Sequence, residues 1–72
     1  MNYEVTLEEY GQAPVVLAFV RASDAWVQYW TWVAQQGSDG FDALRYTHNP
    51  EVIAMRLFGG DWAVTLRKVV AN

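Results

Sequence analysis

Seventy-two residues, 53% of them hydrophobic, with a net charge of −3, leave room for one unit, and residues 1–72 are read as a single α+β domain. The chain has no cysteine and one histidine, His48, which excludes disulfides and thiolate metal sites and leaves a poor ligand set for zinc. A chain this short buries only about 60% of its unfolded surface, so its apolar surplus predicts self-association, most simply a homodimer.

The charges are uneven. Residues 1–42 carry six acids and one base, Arg21, whereas residues 43–72 carry two acids and four bases. The first residues, Met1-Asn2-Tyr3-Glu4, lack the basic and apolar regions of a signal peptide. The longest strongly apolar run, Val15 to Val20, is far short of the ~20 residues that cross a bilayer. The expectation is a soluble, cytoplasmic protein without membrane contact.

In chain order, Tyr3 to Glu8 alternates apolar and polar residues, the pattern of a half-buried strand. Thr6 and Glu9 have capping-box spacing for a short helix, but Gly11 and Pro14 would cut it after one turn. Val15 to Val20 is apolar on both parities. That predicts a strand in the middle of the sheet, because the same run left at an edge would invite aggregation. Ser23 and Asp24 are good N-cap residues, the chain then runs without Gly or Pro to Gln36, and Gly37 follows as a C-cap.

The last third predicts a three-stranded meander over Phe41–His48, Val52–Phe58 and Trp62–Val70, with corners at Asn49-Pro50 and Gly59-Gly60-Asp61. A two-residue type II′ loop at the second corner would put Ile53, Met55 and Leu57 on one face with Trp62, Val64, Leu66 and Val70. A helix starting at Asn49-Pro50-Glu51 is the competing reading of 50–58. The expected fold is α+β: a small, mostly antiparallel sheet in the order β-β-α-β-β-β with one helix packed on one face.

Two groups of side chains are candidates for binding. At about 100° per residue, Trp26, Tyr29, Trp30, Val33, Ala34 and Val27 form an apolar arc roughly 160° wide. Trp32 falls outside it, among Gln28, Gln35 and Gln36. Trp26 and Trp30 are therefore expected in the core, and Trp32 with its glutamines as a protein-binding contact, tryptophan being a leading hot-spot residue. Arg45, Arg56 and Arg67 recur at a spacing of eleven and would share the open face of the meander. There they could contact a nucleic-acid backbone or pair with Glu4 and Glu8 across strands. The negative net charge makes nucleic acid the less expected partner.

Catalytic groupings do not assemble. Ser23 and Ser38 sit in cap or loop context, His48 precedes a turn, and Glu8 and Glu9 would face opposite sides of a strand. No glycine-rich phosphate loop is present. The expectation is a protein that is not an enzyme, with no cofactor and no metal. In size, acidity and tryptophan content the chain resembles small inhibitor proteins encoded by phages and mobile elements, such as anti-CRISPR and toxin-immunity proteins. That resemblance implies a protein-binding module that inhibits a larger protein or complex. The alternatives are nucleic-acid binding through the arginines and a structural subunit of a homo-oligomer.

Overall fold

The computed structural model describes residues 2–70. Its elements are β1 (Asn2–Glu9), β2 (Val15–Phe19), α1 (Ala22–Gln36), β3 (Phe41–Asp42), a 3-10 turn (Leu44–Tyr46), β4 (Val52–Phe58) and β5 (Trp62–Val69). The expected α+β class and element order hold: one α-helix packs on an antiparallel five-stranded sheet. No helix among the described residues is long and apolar enough to cross a membrane.

The strand order is β2-β1-β5-β4-β3. The alternating segment β1 takes a central position, paired to β2 on one side and to β5 on the other, from Asn2↔Val69 to Glu9↔Trp62. Val5, Val64 and Leu66 are fully buried beneath the helix. Residues directly opposite in register share a face, so Tyr3, Val5 and Leu7 lie with Phe19, Leu17 and Val15 of β2 on the helix side. The placement of Val15–Val20 in the middle of the sheet is corrected: β2 is an edge strand, because β1 has both of its own edges paired and β2 has one.

Several other expectations change. The segment 41–48 is no full strand. Only Phe41 and Asp42 pair with β4, after which the chain bends into the 3-10 turn. Asp42 Oδ1 accepts a hydrogen bond from the Leu44 N–H at 2.9 Å, and the bend is held by Ala43 N–H donating to Met55 O at 2.9 Å. Residues 52–58 are strand, as the meander reading has it, and not helix. The helix begins at Ala22 with Arg21 as its N-cap and no side-chain cap bond, so Ser23 and Asp24 lie inside its first turn. Gly37 caps the other end.

The β4–β5 corner has three loop residues rather than two. Phe58 pairs with Trp62, and Asp61 N–H donates to Phe58 O at 3.1 Å. Gly59 and Gly60 both have positive φ, as a type I′ turn requires, rather than the single position of type II′. The extra residue reverses the parity of β4. Phe58, Arg56 and Ala54 oppose Trp62, Val64 and Leu66 on the helix side, while Met55 and Leu57 oppose Thr65 and Ala63 on the other face. A register shift between Val52 and Ala54 leaves Ile53 as the unpaired residue of a bulge.

Candidate functional site

The helix lies on the sheet through Ala25, Tyr29, Trp32 and Val33, all buried. Ala25 is fully buried. Trp32 is 9% exposed and belongs to the core cluster, whereas Trp30 is 53% exposed. The expected assignment is therefore corrected. The apolar arc is rotated toward Ala25 and Trp32, and the tryptophan left outside is Trp30, with exposed Val27 one turn before it. Gln28 and Gln36 are half-buried beside this arc and Gln35 is exposed. The premise that made Trp32 and the three glutamines a contact, a large ring stranded outside the core, does not hold for Trp32.

Tyr29 is buried in the core between helix and sheet. Its ring meets Trp26 edge-on at 5.5 Å and Trp30 edge-on at 5.2 Å. Burial pushes its hydroxyl pKa above the ordinary value of 10.0; nearby Arg56 pulls it down and Asp42 pushes it up. Arg56 lies opposite the buried Val64 and so on the helix side, and its Nη2 donates to Gly40 O at 3.4 Å.

The three arginines do not form a stripe. Arg45 is on the 3-10 turn with its guanidinium 5.1 Å from the Tyr46 ring centroid. Arg56 faces the helix by register, because the three-residue loop reversed β4. Arg67 alone points to the open face as expected, and there it donates to Glu4 Oε1 from Nε at 3.0 Å and from Nη2 at 2.7 Å. This is the cross-strand pairing expected of Glu4, and the bond to Glu4 raises the pKa of Arg67. Glu8 lies opposite Ala63 instead of an arginine.

The most unusual surface feature is the outer edge of β2. Val15 is 49%, Val16 48% and Leu17 40% exposed, Ala18 is exposed, and Val20 just beyond the strand is exposed too. Among the described residues no strand pairs with that edge. An edge strand presents unpaired N–H and C=O groups in a row, and proteins ordinarily blunt it with charge, proline, a bulge or brevity. From Val15 to Phe19 there is no charge, no proline and no glycine, and the β1–β2 register runs without a shift. The edge therefore combines backbone groups able to accept a further strand with apolar side chains on both faces.

A shallow cleft of about 300 Å³ lies at one end of this hairpin, lined by Glu8, Glu9, Tyr10, Gln12, Pro14 and Asp61 among others. It places three carboxylates at the Val15 end of β2. No known protein family, curated protein or solved structure matches the chain.

The sequence signals an apolar strand at Val15–Val20 but not its place at the edge, since the same run is expected in the middle of the sheet. It held a weaker signal for the helix face: Ala22 and Ala25, small residues at the start of α1, mark the side on which a helix can lie close to a sheet.

Proposed function

We propose that this chain is a non-enzymatic protein-binding module that docks a strand of its partner along the outer edge of β2, acts as an inhibitor of a larger protein, and forms a homodimer when that partner is absent. The observation that carries the reading is the bare β2 edge: five uncharged residues, mostly exposed, with nothing in the strand to discourage pairing. Strand addition supplies affinity through main-chain hydrogen bonds, and the alternating side chains supply selectivity. Val15 and Leu17 would read the partner on the helix side, Val16 and Ala18 on the open side. The inhibitor role rests on the compositional resemblance and on the consequence of such docking: a sheet edge or extended segment of the target that is paired here is withdrawn from its own work. The cytoplasm as its place of action rests on the chain having no cysteine. The non-enzymatic reading is supported by the scattering of the reactive side chains. Ser23 is in the helix, Ser38 in the loop after it, and His48 beyond the 3-10 turn.

The test is affinity capture from a native lysate with the unaltered protein and with a Val16→Lys, Ala18→Lys variant. Both positions are exposed on the open face, so the variant keeps the fold while placing charge on the edge. The expected result is a partner retained by the unaltered protein and lost with the variant. Equal retention by both would refute docking at β2. Salt-sensitive retention on DNA or RNA, undiminished in the variant, would favour the nucleic-acid reading instead.

A further inference from the structure

We infer that the occupant of the β2 edge in the free protein is β2 of a second copy, paired antiparallel about Leu17, so that two five-stranded sheets join into one of ten strands. The inference rests on the reading of β2 as a docking edge and adds the partner strand and its register.

Antiparallel self-pairing requires a two-fold axis perpendicular to the sheet, and such an axis matches like faces. Residues on the helix side must then oppose residues on the helix side. Centring the axis on Leu17 meets that condition: Leu17 opposes Leu17, Val15 opposes Phe19, and Val16 opposes Ala18. All five residues of β2 are used, whereas a shift of two in either direction leaves strand residues unpaired or brings Pro14 into the ladder. Both helices come to lie on the same face of the joined sheet.

Charge favours this arrangement. No charged residue lies between Pro14 and Val20, so no like charges face each other within the ladder. The two ends of β2 differ in sign. Leu7 opposes Val15, so Glu8 and Glu9 lie just past the Val15 end, while Arg21 follows the Phe19 end, where Tyr3 also opposes Lys68. Antiparallel pairing sets the acidic end of one copy beside the basic end of the other. Parallel addition would bring acid to acid and base to base. The opposite edge of the sheet offers no comparable surface, since β3 has two residues and one of them is Asp42.

The register can be read by charge exchange, because Val16 and Ala18 oppose each other twice across the axis. Sedimentation equilibrium at micromolar concentration should find the unaltered protein at twice the 8.2 kDa of one chain. Val16→Lys with Ala18→Lys places like charges opposite each other twice and should weaken the dimer by about tenfold or more. Val16→Lys with Ala18→Glu places opposite charges there and should restore it, with circular dichroism reporting the fold of each variant. Hydrogen exchange on the unaltered protein gives a readout free of variants: amides of Val15–Phe19 should gain protection as concentration rises.

A single-chain mass for the unaltered protein, or a double-lysine variant that dimerises as well as the unaltered chain, would overturn the proposal. So would a folded lysine–glutamate variant that stays monomeric. A monomeric protein that still captures a foreign partner through β2, and loses it with the double-lysine change, would leave the docking edge standing and remove only the self-pairing.

Discussion

The sheet has two edges, finished in opposite ways. At the β3 edge, pairing stops after two residues, Asp42 ties the chain into a 3-10 turn, and Arg56 donates to the carbonyl of Gly40. Gly40 packs against Phe58 so closely that a β-carbon would overlap the ring. Short length, a charge and a packed bend are the devices that keep an edge from acquiring a neighbour. At the β2 edge, the strand is longer, apolar and uncharged, and Val15, Val16, Leu17 and Ala18 are all exposed. The devices that blunt the β3 edge are absent from β2, and this contrast is what supports the proposal that β2 is the docking edge.

This contrast can be broken at several points. The largest effect concerns the helix, whose seating determines which side of β2 is covered. Trp32→Ala should cost about 3–5 kcal/mol, enough to unfold a domain this small. Trp30→Ala, at a ring half in water, should cost well under half as much in thermal or urea unfolding. The reverse order would mean that the helix is rolled so that Trp30, and not Trp32, meets the sheet.

Next comes the closed edge. Gly40→Ala should cost about 1–3 kcal/mol, because the buried Phe58 ring must move to admit the methyl group. Backbone amides around Ala43 should lose protection in hydrogen exchange. A neutral substitution would mean that the β3 edge is held by the turn alone.

A smaller effect is expected in the centre, where neither edge is involved. The Glu4–Arg67 pair is partly exposed on both sides, so solvent screens it. A double-mutant cycle with Glu4→Gln and Arg67→Gln should give a coupling of about 0.2–1 kcal/mol that shrinks with added salt. A much larger coupling would place part of the open face out of water, under a partner.

The smallest effect on stability belongs to the open edge. Val16→Lys should change unfolding free energy by less than about 0.5 kcal/mol, measured at dilutions where the chain is monomeric. The same change should raise solubility at high concentration. A large loss of monomer stability would show that β2 is covered within its own chain.

Of the β2 candidate site, the sequence showed composition and hazard but not position. Six apolar residues in a row announced a strand that must not be left bare. Central and edge strands are told apart by which neighbours they find, and that depends on β1 pairing with β5, strands separated by most of the chain. The helix face is not fixed by the local pattern either. In WVQYWTWV the apolar residues occupy more than half the circumference, so periodicity leaves the facing direction open by a quarter-turn or more. The burial of Ala25, Tyr29, Trp32 and Val33 together shows which face is turned to the sheet. The arginine stripe is absent for two reasons: one added loop residue at Gly59-Gly60-Asp61 turns Arg56 to the other face, and the bend after Asp42 takes Arg45 out of the sheet.

The sequence by itself determined the α+β class, the order of the elements, the helix ending at Gly37 and strands at the β1, β2 and β5 segments; it left β4 between strand and helix, and offered cross-strand pairing of Glu4 with an arginine as one of two readings. These follow from local periodicity, turn residues and cross-strand charge, all of which act over a few residues. Only the tertiary structure decided that β2 and β3, joined by the helix, stand at opposite edges of the sheet with β1, β5 and β4 between them. That order is a property of long-range pairing, in which the first strand of the chain buries Val5 against Leu66 of the last, and no local pattern encodes it.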